Sequence, residues 1–270
     1  MATPAESFVT MRPHGNTGWL RPAVSLWSRE VVRFYRNRGR VAGVILSPLL
    51  FWLVIGSGFG TSFRGAGGSM HYLEYFFPGA LTMIVLFTSI FAMMSVIEDR
   101  KEGFLLSVLV APVHRSVIVL GKVLGGATLA TAQGLIFLCF TPLLRGAHLG
   151  LDNLFPVILT VFLVAFSLTA LGFAIAWPMD SSQAFHAIVN LFLIPLWLVS
   201  GALFPLAGAS GWMRVVMRAN PLTYGNEALR QLLFPGAAAL LPAPASLLIL
   251  GTFAATMFAL ALAMASRRRT

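Results

Sequence analysis

The chain has 270 residues, 57% of them hydrophobic and only 10% charged, with mean hydropathy +0.83 and a net charge of +10. A soluble domain of this length carries about 25% Asp, Glu, Lys and Arg, so the charges here are too few to cover a surface facing water, and the composition points to an integral membrane protein. The excess of basic residues reads as the charge that orients membrane spans rather than as a nucleic-acid surface, so no nucleic-acid partner is expected.

Within residues 1–40 there is no apolar core of the signal-peptide kind. In "AVSLWSREVVRFYRNRGR", Val24, Trp27, Val31, Phe34 and Tyr35 recur at helical spacing while Arg29, Arg33, Arg36 and Arg40 line another face. That pattern predicts an amphipathic interface helix in the headgroup plane, its key residues being Trp27, Arg29, Val31, Arg33, Phe34 and Arg36. A plain basic anchor for the next span is the compatible, simpler alternative.

Six apolar runs follow, at about 41–60, 76–97, 119–143, 154–177, 184–205 and 243–265, each near the ~20 residues that cross a bilayer. Residues 41–265 are therefore expected to form one membrane domain between a cytosolic segment, 1–40, and a basic tail, 266–270. Six spans leave both termini on one side. Fourteen of the 19 basic residues fall on that side and five on the other, which places the termini in the cytosol. No long connection holds a soluble domain, and Cys139, the single cysteine, reads as a small buried hydrophobe.

Several stretches resemble chemistry without satisfying it. "GSGFG" at 56–60 closes an apolar run instead of linking a strand to a helix, and reads as a helix stop and outer loop. "VLGKVLGG" fails the phosphate-loop pattern, because Ser116 stands where the first glycine belongs and Val123 follows Lys122. His14, His71, His114, His148 and His186 have no metal-ligand spacing, and His186 reads as an interfacial or packing residue. The spans hold almost no ionisable residues, which disfavours a proton-coupled carrier. The chain is expected to bind no cofactor or metal and to have no catalytic residues.

One island breaks the apolar pattern. "SVIEDRKEGFLLSVLVAPVHRSVIVLGKVL", which closes the second run and opens the third, resembles the signature of type-2 ABC exporter permeases. "NLFLIPLWLVSGALFPL" is similar to the fifth span of that family, and "NPLTYGNEALRQLLF" resembles its Asn-Pro-Leu-Thr-Tyr segment and the amphipathic helix after it. The likeness covers most of the chain from about residue 23 and is nearest to the drug, polysaccharide and nodulation-factor branch.

The resemblance implies an all-α membrane protein of six transmembrane helices. It also implies the N-terminal interface helix, a cytosolic coupling helix between spans two and three, and short re-entrant outer helices between spans five and six. ATP and Mg would be handled by a separate nucleotide-binding subunit, two copies of which dock beneath a pair of permeases, a homodimer or a heterodimer. The docking segment would be 98–116. In it Glu98, Asp99, Arg100, Lys101, Glu102 and Arg115 offer charge of both signs, and Gly103 permits a turn. Phe104, Leu105, Leu106, Val108 and Leu109 give an apolar face, and Pro112 stops the helix. A solvated loop marking the membrane boundary is the plainer alternative.

On the outer side the resemblance puts Gly201, Pro205, Asn220, Pro221, Thr223, Tyr224, Glu227 and Arg230 around an outer gate, with packing as the equal alternative. It lines the path with spans one, two and five, where Met83, Met93 and Met94 would adapt to varied apolar shapes. The expected cargo is exported and amphipathic or lipid-like. The expected location is a bacterial plasma (inner) membrane, an organellar one being left open. The competing readings are a stand-alone six-span carrier or channel, and a membrane anchor that transports nothing.

Overall fold

The computed structural model describes residues 20–36, 38–59, 71–110, 114–237 and 240–266. Every regular element among them is helical: α1 Leu20–Arg36, α2 Arg38–Gly58, α3 Tyr72–Lys101, α4 Phe104–Val110, α5 Arg115–Leu138, α6 Leu151–Ala176, α7 Ser182–Ala202, α8 Gly211–Ala219, α9 Pro221–Leu233 and α10 Ala243–Ser266. Five of these elements, α3, α5 (prolonged by a short turn to Leu143), α6, α7 and α10, are long and apolar enough to cross a bilayer.

The expected first span is the exception. α2 covers that stretch as a helix, and among its described residues the apolar part is Leu46–Gly58.

α3 is the hub, packed by α2, α5, α6 and α9, while α6 bridges α5 to α10 and α1 lies along α5. Small residues let these backbones close up, since in an apolar bundle packing replaces the hydrophobic drive. A Cβ on Gly126 would stand 2.7 Å from Thr169 and 2.9 Å from Met93, and one on Gly134 would stand 2.8 Å from Val161. Trp52, Phe77 and Phe137 fill the far end of this seam, Phe77 and Phe137 stacking at 4.8 Å.

Two ends are defined by cross-links between elements. At one end, the last turn of α3, the start of α5, the α6–α7 turn and the end of α10 meet through Arg100 and Arg115. At the other, Tyr72 bonds to Leu203, and His148 bonds to Leu233.

Two expectations are corrected here. Met93 is fully buried and fills the space opposite Gly126 and Gly172, so it packs the core instead of lining a path, whereas Met83 and Met94 are half-buried. Cys139 is exposed, because it falls just past the end of α5 on the side facing away from the bundle. His186 contacts the Phe91 ring at 5.4 Å, a packing role as expected.

Candidate functional site

α1 buries Ala23, Leu26, Glu30 and Phe34, one stripe at three- and four-residue spacing. The stripe lies on α5 where that helix has glycine. A Cβ on Gly121 would stand 2.8 Å from Leu26, and one on Gly125 would stand 2.8 Å from Glu30. Trp27 fixes the register through a 3.1 Å bond from Nε1 to Thr128. Val24 and Tyr35 are exposed, and the stripe against α5 contains a carboxylate, which the apolar pattern did not suggest.

That carboxylate belongs to a buried ionic cluster. Lys122 Nζ reaches Glu30 at 2.5 Å, Ser95 at 3.1 Å and also Asp99, so one cation from α5 holds one carboxylate from α1 and another from α3. Arg29 grips Asp99 with both terminal nitrogens, each at 2.8 Å. Arg33 spans Asp99 and Glu98, also at 2.8 Å each. Lys122 is 1% exposed, Asp99 0% and Glu30 4%, so these three are cut off from water.

Three cations thus face three carboxylates, with Glu102 at the rim 3.7 Å from Arg33. A buried charge is tolerated only when it is paired and hydrogen-bonded, and the cluster meets that condition. The bonds to Asp99 hold the Arg29 guanidinium above its ordinary pKa, so it stays charged at any physiological pH. The same guanidinium sits 3.7 Å over the Phe104 ring, which ties α4 to α1 as well.

The expected docking residues divide accordingly. Asp99 is spent on this cluster. Arg100 donates to the carbonyls of Trp177 and Met179 and to Asp180, and Arg115 donates to the carbonyl of Ala265. Arginine satisfies the last carbonyls of α6 and α10 in this way, and its charge suits a helix C-terminus. Leu105 is 4% exposed and packs inward, while Phe104 and Val108 are half-buried. What faces outward is Lys101, Glu102, Ser107 and Val110, the last 87% exposed. Gly103 at φ +76° makes the turn between α3 and α4, a backbone state that glycine adopts without strain. Pro112 and the side chains of Leu106 and Leu109 lie outside the described residues.

At the opposite end α7 breaks. It widens into π turns at Val189–Leu193 and Leu198–Ala202, and Gly201 takes φ +73°. Carbonyls along the break find donors: Asn220 bonds to Leu196 at 2.6 Å, Asn226 to Ser200 at 3.1 Å, Tyr75 and Arg230 to Gly201 at 2.8 and 3.0 Å, and Tyr72 to Leu203 at 2.9 Å. Arg230 also lies 4.1 Å from the Tyr75 ring centre.

Thr223 is buried and donates to Met217, and Tyr224 donates to Arg218. Glu227 accepts from the backbone of Leu240 at 3.1 Å, and Pro221 opens α9 behind its cap, Asn220. Pro205 precedes a single turn at Leu206–Gly208. Most of the expected outer residues are therefore brought together around the break, where they hold an interrupted helix in protein.

Sequence reading passed over Glu30, Ser95, Tyr72, Tyr75 and Asn226, and placed Lys122 only at the edge of the island. Two signals were available: a lysine inside the apolar run "LGKVLGG", and a lone glutamate among the arginines of α1. Both charges would be costly at membrane depth unless paired.

The fold and the cluster define a helical membrane protein whose N-terminal helix is locked by charge to the base of its bundle. The ABC-2 type transporter family model matches residues 23–234, and the chain belongs to that family of permeases. The putative transport permease ycf38 of Cyanophora paradoxa is 29% identical over 212 residues, which cover 76% of this chain and 71% of the relative. The daunorubicin resistance ABC transporter permease protein DrrB1 of Streptomyces coeruleorubidus is 24% identical over 224 residues, 82% of this chain and 78% of the relative. Nodulation protein J of Neorhizobium galegae is 24% identical over 223 residues, 81% of this chain and 82% of the relative.

Proposed function

We propose that this chain is the permease subunit of an ATP-driven exporter, working with two nucleotide-binding subunits and a second permease copy. ATP and Mg are bound in the partner, where the ATP is hydrolysed, and this chain supplies the path. In this reading α2 serves as the first of six spans, both termini and α4 face the cytosol, and the host is a bacterial plasma membrane. The cargo is amphipathic or lipid-like, as suits a path between apolar helices.

The observation that carries the reading is the construction of the α3–α4 corner. A short helix is held against the end of the hub helix by the Gly103 turn and the Arg29–Phe104 contact, and it presents Lys101, Glu102 and Val110 outward. Mixed charge beside an exposed apolar side chain suits docking into a groove on a partner. Among the described residues, Arg29, Arg33, Arg100, Arg115 and Lys122 lie at that end. The drug-resistance and nodulation names of the relatives are in keeping with export.

Glu102 is the residue to test, because it is exposed and only at the rim of the ionic cluster. When the chain is co-expressed with its candidate ATPase, Glu102→Lys combined with Val110→Asp should weaken co-purification about tenfold or more, roughly 1.4 kcal/mol. The thermal stability of the permease should not change. Undiminished co-purification would remove α4 as the docking element. Transport by the purified chain without ATP would replace this reading with a stand-alone carrier.

A further inference from the structure

We propose that Lys122 is the positioning residue that makes α1, α3 and α5 move as one body, so that a displacement imposed on α4 reaches the membrane helices. The inference rests on the reading that α4 meets an ATPase, but the tie itself can be measured without that partner.

Lys122 is the one cation of the cluster that joins all three helices, because it stands on α5 and bonds to Glu30 of α1 and to Asp99 and Ser95 of α3. The other two cations, Arg29 and Arg33, belong to α1 and join it to α3 and, through Phe104, to α4. Glu30 has no comparable substitute for Lys122, since Arg29 approaches it no nearer than 3.8 Å. Separating α1 from α5 would therefore strand a carboxylate and an ammonium group in an apolar interior, which is costly.

Nothing in the cluster is positioned to contact cargo. Its members point into a seam closed by Gly121 and Gly125, where α1 lies directly on α5. The same α1 carries Arg29 over Phe104, so α4, the corner of α3 and the base of α5 are linked without a break through charged contacts. A push on α4 meets a stiff base instead of a loose hinge. Coupling between sites needs such an element, whose arrangement both sites can bias.

The balanced variant Lys122→Met with Glu30→Gln removes one charge of each sign and leaves Asp99 with both arginines, so the fold survives. Lys122→Arg retains the cation. In a Cys139→Ser background, spin labels at Val32→Cys on α1 and Leu120→Cys on α5 report how firmly the two helices are held in the permease alone; Val32 is exposed and Leu120 is half-buried.

A narrow distance distribution is expected with the native Lys122 and with Lys122→Arg, and one about twofold broader or more in the balanced variant. In the complex with the ATPase, unlabelled, the balanced variant should co-purify normally, while permease-dependent ATP hydrolysis falls about tenfold and is restored by Lys122→Arg. A narrow distribution in the balanced variant, or wild-type hydrolysis in it, overturns the proposal. If the unaltered permease binds no ATPase, the proposed function fails, and the label distances still decide whether Lys122 forms the tie.

Discussion

Replacing Asp99 with Leu should destabilise the permease by about 3–5 kcal/mol, the cost of removing one partner from a buried ion pair. Asp99 is 0% exposed and accepts from Arg29, Arg33 and Lys122. Without it, three cations share Glu30 and Glu98, and one positive charge in the buried base is left without a counterpart. For a domain of this size, that cost lowers the melting temperature by about 6–20 °C, readable by thermal unfolding in detergent. Asp180 gives the comparison, because it pairs with Arg100 but its side chain is 74% exposed. Asp180→Asn should cost at most about 1 kcal/mol. Equal melting shifts for the two variants would mean that the buried cluster does not hold the base together.

The second large effect is at the other end. A Cβ on Gly79 of α3 would lie 2.7 Å from the Cβ of Ala202, 2.8 Å from its Cα and 2.9 Å from its carbonyl oxygen. Two of those atoms are backbone, so no side-chain rotation relieves the clash, and Gly79→Val must push α3 and α7 apart. The same movement breaks the 2.9 Å bond from Trp197 to the Gly79 carbonyl, and stretches the bonds from Tyr75 and Arg230 to Gly201. Overpacking alone costs about 1–3 kcal/mol, and each buried polar group left unpaired adds about 1–3 more. Limited proteolysis should show earlier cleavage around the α7 break in Gly79→Val. Gly208→Ala, where an added Cβ meets nothing, should behave as the parent. If Gly79→Val were as resistant as Gly208→Ala, the α3–α7 contact would not be what secures the broken helix.

Much of the layout was legible in the sequence. The arginine-rich helix near the start lies at Leu20–Arg36, and the island turns at Gly103 into a short helix. These features depend on local chemistry: apolar periodicity and a glycine where φ is positive. The first span is a helix at the expected place, and among its described residues the apolar part is Leu46–Gly58.

The candidate site was half legible, for a definite reason. Sequence spacing shows which residues share a face of a helix, and so it could place Arg29 with Arg33, or gather Glu98, Asp99 and Arg100. It does not say which face meets which neighbour. Asp99 and Arg100 are adjacent in the chain, yet one turns toward Arg29 and Lys122 and the other toward the carbonyls of Trp177 and Met179. A charged island read as an offering to a partner is, over much of its length, internal mortar.

The sequence by itself determined the solvent of this protein and the rough place of its apolar helices, because those follow from transfer energies summed along the chain. Only the tertiary structure decided that Lys122 meets Glu30 across 92 residues and Asp99 across 23. The close approach of α1 to α5 over Gly121 and Gly125 brings those charges into contact, and burial there allows no buried charge to remain unpaired.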